Sequence, residues 1–170
     1  METNSVLDEL ICRATRELLQ GVGLDFQPTS CAGVVMERAA VIGFTGRDLR
    51  GVLGIGMTDC TLNALAAKAN AAPHREDWLG EAANQLIGRF KNKLLRYGTT
   101  VSIALPMVLR GVRIQFMTPA APGVSTHRFA SSSGDVCVWL DVHARVGFEP
   151  RIAPTENVEG VAREGDLLLF

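Results

Sequence analysis

The sequence predicts an α+β protein in which an antiparallel β-sheet packs against helices. Apolar residues recur at helical spacing near the N-terminus, and two strand-like segments flank the turn Thr45-Gly46-Arg47-Asp48. Several later segments alternate apolar and polar residues, as half-buried strands do. Because helices and strands do not follow a repeating β-α-β order, we expect an antiparallel sheet rather than a parallel one.

The first half of the chain predicts two helices on either side of a β-hairpin. Gly21 and Gly23 are suited to end the first helix, and Thr58 or Asp59 is suited to cap the second. The predicted segments are a helix over 5–20, a loop over 25–30, strands over 34–44 and 49–57, and a helix running towards residue 70.

The second half predicts one long helix and then several strands. Pro106 suits the end or the edge of a strand, since proline cannot donate to a sheet ladder. The segment with the cleanest alternation is the last, where Cys137, Trp139 and Asp141 would line the face opposite the valines. The predicted segments are a helix over 77–96 and strands over 101–105, 112–116, 126–129 and 136–146.

Composition and charge limit the classes of function. The 170 residues are 47% hydrophobic and 21% charged, and we expect a single domain over residues 1–150 followed by a tail over 151–170 that is a docking segment or an edge strand. The net charge of −1 argues against a protein whose main task is holding nucleic acid. The sequence has neither a signal-peptide pattern nor a long apolar stretch, so we expect a cytoplasmic protein outside the membrane.

The cysteines and histidines do not predict a metal site. Four cysteines are scattered without the short spacing of zinc ligands, so reduced thiols are expected. The three histidines are isolated in sequence, and His143 is expected to be a surface or interface residue. Cys60 and Ser125 lack the strand-to-helix turn that would favour a nucleophile.

The central helix over residues 77–96 divides into an apolar side and a polar side. On a helical wheel, the polar residues fall within roughly 40° of one line, and the apolar residues lie opposite. The polar line consists of Asp77, Glu81, Asn84, Gly88 and Lys91, and the apolar side of Leu79, Ala83, Leu86, Phe90 and Leu94. A solvated helix face is the simplest interpretation of such a pattern.

Two residues on this line argue for more than a solvated face. Asn84 is a middling helix former, and Gly88 inside a helix costs about 1 kcal/mol relative to alanine. An asparagine amide can both accept and donate, so it can hold a water molecule in a fixed orientation. Glu81 lies one turn away and can bind a lysine of a partner. With no strong nucleophile or metal beside them, these residues suit a partner that brings the labile bond.

A glycine-containing strand offers a weaker candidate site. Gly54-x-Gly56-x-x-Asp59 imitates a dinucleotide-binding fingerprint, which would make the chain a small-molecule enzyme. The third glycine is missing and the flanking elements do not form a β-α-β unit. Close packing of another element against the hairpin explains these glycines better.

The residues of the central helix resemble a known family. Asp77-x-x-x-Glu81-x-x-Asn84, followed later by Pro106, resembles the signature of the CheC/CheX/FliY chemotaxis phosphatases. The wider run from Glu81 to Lys91 is most similar to the CheX branch. The resemblance extends over residues 5–146 and implies a CheC-like fold with one long central helix carrying the site.

The resemblance also implies a reaction and a partner. Members of the family remove the phosphoryl group from the aspartate of a phosphorylated CheY-type response regulator, by positioning and electrostatics. Glu81 would pair with the regulator's lysine and Asn84 would orient the attacking water. Asp77, Gly88 and Lys91 would belong to the docking surface. Mg²⁺ would be bound by the regulator, with no cofactor bound by this chain, and a homodimer is allowed.

Two further interpretations stay open. The chain can be a CheX-like adaptor module that binds a regulator without hydrolysing anything, since one fold hosts several functions. The first helix contains Glu9-x-x-Cys12, a near miss of the Glu-x-x-Asn pattern that CheC carries twice. A structural helix with a buried Cys12 is favoured there over a degenerate second site.

Overall fold

The computed structural model describes residues 3–23, 25–29, 35–71, 74–115 and 123–150. It confirms the predicted α+β class. The helices are α1 (Thr3–Gly21), α2 (Asp59–Lys68) and α3 (Arg75–Leu95). The strands are β1 (Gln27–Thr29), β2 (Met36–Gly46), β3 (Leu49–Met57), β4 (Val101–Ile103), β5 (Met107–Ile114), β6 (Val124–Ser131) and β7 (Gly134–Ala144). The predicted tail over 151–170 lies outside the described residues.

The strands form one antiparallel sheet. Within the described residues it has seven strands in the order β1-β6-β7-β3-β2-β4, and β5 also pairs with β2. The predicted hairpin is confirmed as β2 and β3, whose register runs from Thr45 opposite Arg50 to Arg38 opposite Met57. The chain returns from α3 to the free side of β2, where β4 pairs with residues 44–46 and β5 with residues 36–41. This return brings β5 beside α3.

The core lies between the sheet and the two long helices. Alternate residues of β2, β3 and β7 are buried in one cluster with the apolar sides of α1 and α3. Phe44 of β2 and Phe90 of α3 meet edge to face with ring centroids 5.9 Å apart, a favoured aromatic geometry. Thr58 caps α2 as predicted, because its side chain accepts a hydrogen bond from the Thr61 amide. The apolar side of α3 is therefore fixed, and its polar side faces away from the core.

The glycines of β3 have a packing role. A Cβ atom added to Gly54 would fall inside the Trp139 ring, and one added to Gly56 would meet the sulfur of Met36. Both glycines leave space for side chains of the same sheet. This observation supports close packing over the dinucleotide-binding interpretation.

Several predicted boundaries are wrong; for example, the strand predicted to begin at residue 112 is β5, which begins at Met107. Residues 27–29 were predicted to lie in a loop, but they form β1 and pair with β6, with Pro28 opposite Phe129. All three residues of β1 are exposed, so the segment has no alternation that a sequence pattern could detect.

The last strand ends at Ala144 rather than at Val146, which is 98% exposed. Gly147 follows with φ 81°, a backbone conformation that favours glycine and turns the chain.

Candidate active site

Helix α3 presents the candidate site because its apolar side is fully occupied by the core. Its predicted core residues are at most 1% exposed: Leu79, Ala83, Leu86, Phe90 and Leu94. Glu76 and Asp77 lie in the first turn, where negative charge interacts favourably with the helix dipole. Asp77, Glu81 and Asn84 are exposed on the opposite side.

The first part of the polar line opens onto a cleft of about 530 Å³ between α3, β2 and β5. The residues that line it are Arg38, Glu76, Asp77, Gly80, Glu81, Asn84, Pro106, Val108 and Arg110. The fold thus brings Pro106, which follows β4, to the same cleft as Asp77, Glu81 and Asn84. These four residues of the sequence signature share one surface.

The Glu81 side chain has a partner one turn further along the helix. Gln85 Nε2 donates a hydrogen bond to Glu81 Oε1 at 3.2 Å. An exposed carboxylate held in this way keeps a second oxygen for a cation brought by another molecule. Asp77 lies near His74, with 3.8 Å between Oδ2 and the ring Nδ1.

Gly80 explains how closely α3 approaches β5, and the sequence pattern did not single it out. A Cβ atom at this buried position would lie 3.5 Å from Cγ2 of Val108 and 3.9 Å from Cγ of Pro106. The helix backbone therefore lies within a side chain's length of the 106–108 segment. Glu81 and Asn84 follow Gly80 along the helix and line the same cleft, so this contact sets the width of the cleft.

Arg38 is the second residue of the cleft that sequence reasoning missed. Its side chain is only 2% exposed, and Nη2 lies 3.1 Å from Asp59 Oδ1 while Nε lies 3.8 Å from Glu76 Oε1. Nη1 donates to the Glu37 carbonyl at 3.0 Å. A buried guanidinium between two carboxylates links β2 to the first turns of α2 and α3. The signal available in the sequence was a charged residue inside an otherwise apolar strand.

Gly88 and Lys91 lie further along α3 and do not line the cleft. A Cβ atom at Gly88 would meet nothing within 4 Å, so no contact within the described part of the chain requires a glycine there. Lys91 is half-buried. Their assignment to a docking surface stays a prediction.

Cys12 of helix α1 is less buried than predicted. Cys12 is partly rather than fully buried; it packs against the core and lies 3.2 Å from Nδ1 of His127. His127, expected to be isolated, also lies 2.8 Å from Asp8 through Nε2. His143 is exposed beside Asp141, in agreement with a surface position. Neither Cys12 nor His127 lines the cleft at α3.

The described residues contain neither a cluster of metal ligands nor a helix that could span a membrane. No group of three or more His, Cys, Asp or Glu side chains in that part of the chain is arranged to hold a metal ion. Among the helices described, none combines the length and the apolar character needed to cross a bilayer.

Comparison with known proteins identifies the family. The sequence profile described as "Chemotaxis phosphatase CheX" matches residues 38–127, a span from β2 to β6 that includes all of α3. The chain belongs to the CheX family. A comparison with curated protein sequences gives no significant match.

Solved CheX and CheC-like proteins share the fold. A chemotaxis protein CheX from Vibrio vulnificus superposes with a TM-score of 0.72 at 17% identity, over 84% of this chain and 100% of that one. A CheC-like superfamily protein from Shewanella sp. PV-4 gives 0.71 at 17% identity, over 85% and 100%. CheX in a CheX–CheY–BeF₃–Mg²⁺ complex from Borrelia burgdorferi gives 0.61 at 17% identity, over 79% and 96%. These likenesses establish the CheC-like fold of this CheX-family chain.

Proposed function

We propose that this chain dephosphorylates the aspartyl phosphate of a CheY-type response regulator. The observation that supports it most is the exposure of Glu81 and Asn84 one turn apart at a cleft that Pro106 also lines, in a chain of the chemotaxis phosphatase family. The partner class is supported by the CheX–CheY complex formed by the Borrelia burgdorferi protein. We expect the reaction to take place in the cytoplasm.

Asn84 orients the nucleophile in this proposal. Its side-chain oxygen accepts a hydrogen bond from a water molecule and directs the water's lone pair at the phosphorus atom. The new bond joins the water oxygen to phosphorus as the bond between phosphorus and the aspartate oxygen breaks, and the aspartate leaves as a carboxylate. Catalysis of phosphoryl transfer comes mainly from positioning and electrostatic stabilisation, so an amide that fixes the water supplies the positioning part.

Glu81 binds the regulator in this proposal. Its carboxylate pairs with a regulator lysine, and the neighbouring carboxylates of Glu76 and Asp77 increase the attraction for that cation. Gly88 and Lys91 extend the docking surface along α3. Mg²⁺ is held by the regulator, where it neutralises the charge that develops on the phosphoryl oxygens.

The test measures release of inorganic phosphate from a CheY-type regulator that has been phosphorylated by a small phosphodonor in the presence of Mg²⁺. The chains compared are the wild type, Asn84→Ala, Glu81→Ala and Asn92→Ala. Asn92 is an exposed asparagine of the same helix that does not line the cleft, so Asn92→Ala is a matched control for Asn84→Ala.

We expect the wild type and Asn92→Ala to accelerate phosphate release equally. Asn84→Ala should lose about a hundredfold in the rate at saturating regulator, because the water is no longer held in line. Glu81→Ala should mainly raise the regulator concentration needed for half of the maximal rate, by about tenfold, because an interfacial ion pair is lost. Full activity of Asn84→Ala would refute the mechanism.

A CheX-like adaptor is the second candidate function. It predicts that the regulator binds the wild-type chain while its phosphate is released at the spontaneous rate. Binding measured by fluorescence anisotropy in the same samples separates this outcome from an absence of any interaction. The retained Glu81 and Asn84 favour the phosphatase.

We also propose that two copies of this chain associate through β5. In the described part of the sheet this strand pairs only with β2, so its other edge presents backbone donors and acceptors. The exposed apolar residues on β5 and just before it are Leu105, Met107, Val108, Leu109 and Val112. An apolar strand edge of this kind is a ready template for a second strand.

A further inference from the structure

A second group of reactive side chains lies between α1 and β6, away from the cleft at α3. Asp8 and Cys12 lie one turn apart on α1, and His127 of β6 lies between them. The His127 ring contacts Cys12 Sγ through Nδ1 at 3.2 Å and Asp8 Oδ1 through Nε2 at 2.8 Å. Each ring nitrogen therefore has its own partner.

These partners determine the direction of proton transfer. An ionised carboxylate can only accept, so the proton of the neutral His127 ring lies on Nε2 and is donated to Asp8. The Nδ1 lone pair then faces Cys12 Sγ and can accept a hydrogen bond from the thiol. A base that is oriented by a third group and contacts a thiol is the arrangement that activates cysteine nucleophiles.

The side chains of Cys12, His127 and Asp8 are partly open to solvent. The Cys12 side chain is reduced and only partly buried, while the side chains of His127 and Asp8 are 16% and 46% exposed. A cleft of about 500 Å³ is lined by Asp8, His127 and neighbouring residues of α1, β6 and β7. Cys12 does not line this cleft itself but contacts the His127 ring that does. The volume lies within the range of small-molecule pockets.

We propose that Cys12 is an activated thiol that small hydroperoxides convert to a sulfenic acid. The Cys12 thiolate attacks one peroxide oxygen, forming an S–O bond as the O–O bond breaks. The imidazolium of His127 gives its proton to the departing oxygen, so water leaves from hydrogen peroxide, or an alcohol from an alkyl hydroperoxide, and the neutral ring is restored. The sulfur is oxidised by two electrons and the peroxide is reduced by the same two.

This site is independent of the proposed phosphatase activity. None of its three residues lines the cleft that contains Glu81 and Asn84. Loss of phosphate release in an assay with a regulator would therefore leave the oxidation of Cys12 unaffected, and the reverse also holds.

The test treats the full chain with hydrogen peroxide in the presence of dimedone, which traps sulfenic acids, and quantifies the adducts on Cys12 and Cys60 by peptide mass spectrometry. Cys60 is exposed and serves as the internal reference. The variants are His127→Gln, which removes the base, and Asp8→Asn, which removes the charge that orients it. Circular dichroism verifies that each variant is folded.

We expect a Cys12 adduct in the wild type. The ratio of the adduct-formation rate at Cys12 to that at Cys60 should fall at least about threefold in each folded variant. An ordinary thiol is only a few per cent ionised at neutral pH, so an activated thiol reacts faster than one without its base. The lower basicity of an activated thiolate reduces its nucleophilicity, so it offsets part of this gain. A purely structural role for His127 predicts the opposite sign, since loosened packing would expose Cys12 and speed its labelling. No adduct on wild-type Cys12, or an unchanged or increased ratio in the variants, would overturn the proposal.

Discussion

At the level of a single residue, Gly88 lowers the stability of helix α3 and leaves an open space on its polar side. Glycine weakens a helix interior because it loses more backbone freedom on folding than any other residue. The space around Gly88 is open, so no contact within the described residues compensates for that loss. Under the proposed function, a glycine on the same line as Glu81 and Asn84 would leave room for a partner's backbone.

We predict that Gly88→Ala stabilises the chain and impairs its action on the regulator. The free energy of unfolding should rise by about 1 kcal/mol, because alanine is the better helix former and the added Cβ meets nothing. The regulator concentration for half-maximal phosphate release should increase. Urea unfolding and the phosphate-release assay measure the two effects.

Gly21→Ala is the matched control for this substitution. Gly21 is the last residue of α1, also has open space around its Cβ position, and does not line the cleft at α3. Its replacement should leave phosphate release unchanged. If Gly88→Ala also leaves release unchanged, Gly88 does not belong to the docking surface.

At the level of elements, an ion pair fixes α1 against α3. Lys93 Nζ lies 2.8 Å and 2.6 Å from the two carboxylate oxygens of Glu17, and Arg13 Nε lies 3.3 Å from one of them. Partial burial alone would raise the pKa of Glu17, but the hydrogen bonds and positive charges of Lys93 and Arg13 outweigh it and hold the pKa below its ordinary value of 4.5. The helix that carries the site is thus tied to its neighbour near its C-terminal end.

This ion pair predicts a pH-dependent contribution to stability. Because the pKa of Glu17 is lower in the folded state, the contribution is fully present above pH 4.5 and is lost as the pH falls through the folded pKa. Lys93→Met should reduce the free energy of unfolding by about 1 kcal/mol at pH 7. The difference from the wild type should shrink below pH 4, as measured by urea unfolding across the pH range.

Arg13→Met is the control for Lys93→Met. The Arg13 side chain is 61% exposed, whereas that of Lys93 is 17% exposed, so solvent screens the Arg13 interaction more strongly. Arg13→Met should therefore reduce the free energy of unfolding by less than Lys93→Met does. A difference between wild type and Lys93→Met that stayed constant from pH 7 to pH 3 would show that packing of the lysine stem, rather than the ion pair, stabilises the helices.

At the level of the whole molecule, the sheet brings the candidate site and an exposed edge together. Strand β5 packs beside α3 through Val108, while neighbouring residues of the same strand point apolar side chains into solvent. An edge with this composition favours association over an isolated chain. A partner at this edge would lie near the cleft that contains Asn84.

We predict that the wild type is a dimer and that Val112→Lys is a monomer. Val112 is 91% exposed on β5, and a lysine there disfavours strand pairing by placing charge at the edge. Size-exclusion chromatography with light scattering over a range of concentrations measures the mass. Val146→Lys is the matched control, because Val146 is 98% exposed and follows β7. A wild type that stays monomeric at the highest concentration would contradict the proposal.

The elements with strong periodicity were predictable from the residue pattern alone. The apolar side of α3, the β2–β3 hairpin and the alternation of β7 were predictable because burial on one face imposes a period on the residues. The polar line of α3 was predictable for the same reason, since helical spacing alone places Asp77, Glu81 and Asn84 on one side. Strand β1 was missed because its three exposed residues have no period.

Contacts between residues far apart in the chain were not predictable from the residue pattern. Arg38 belongs to the cleft because β5 pairs beside it on β2, and His127 reaches Cys12 because α1 packs near β6. Gly80 matters for the cleft because the 106–108 segment packs against it. Local patterns specify which face of an element is buried, but the pairing of elements far apart in sequence depends on the packing of the whole core. The polar line on α3 could therefore be predicted, whereas the approach of β5 and the place of Arg38 in the cleft could not.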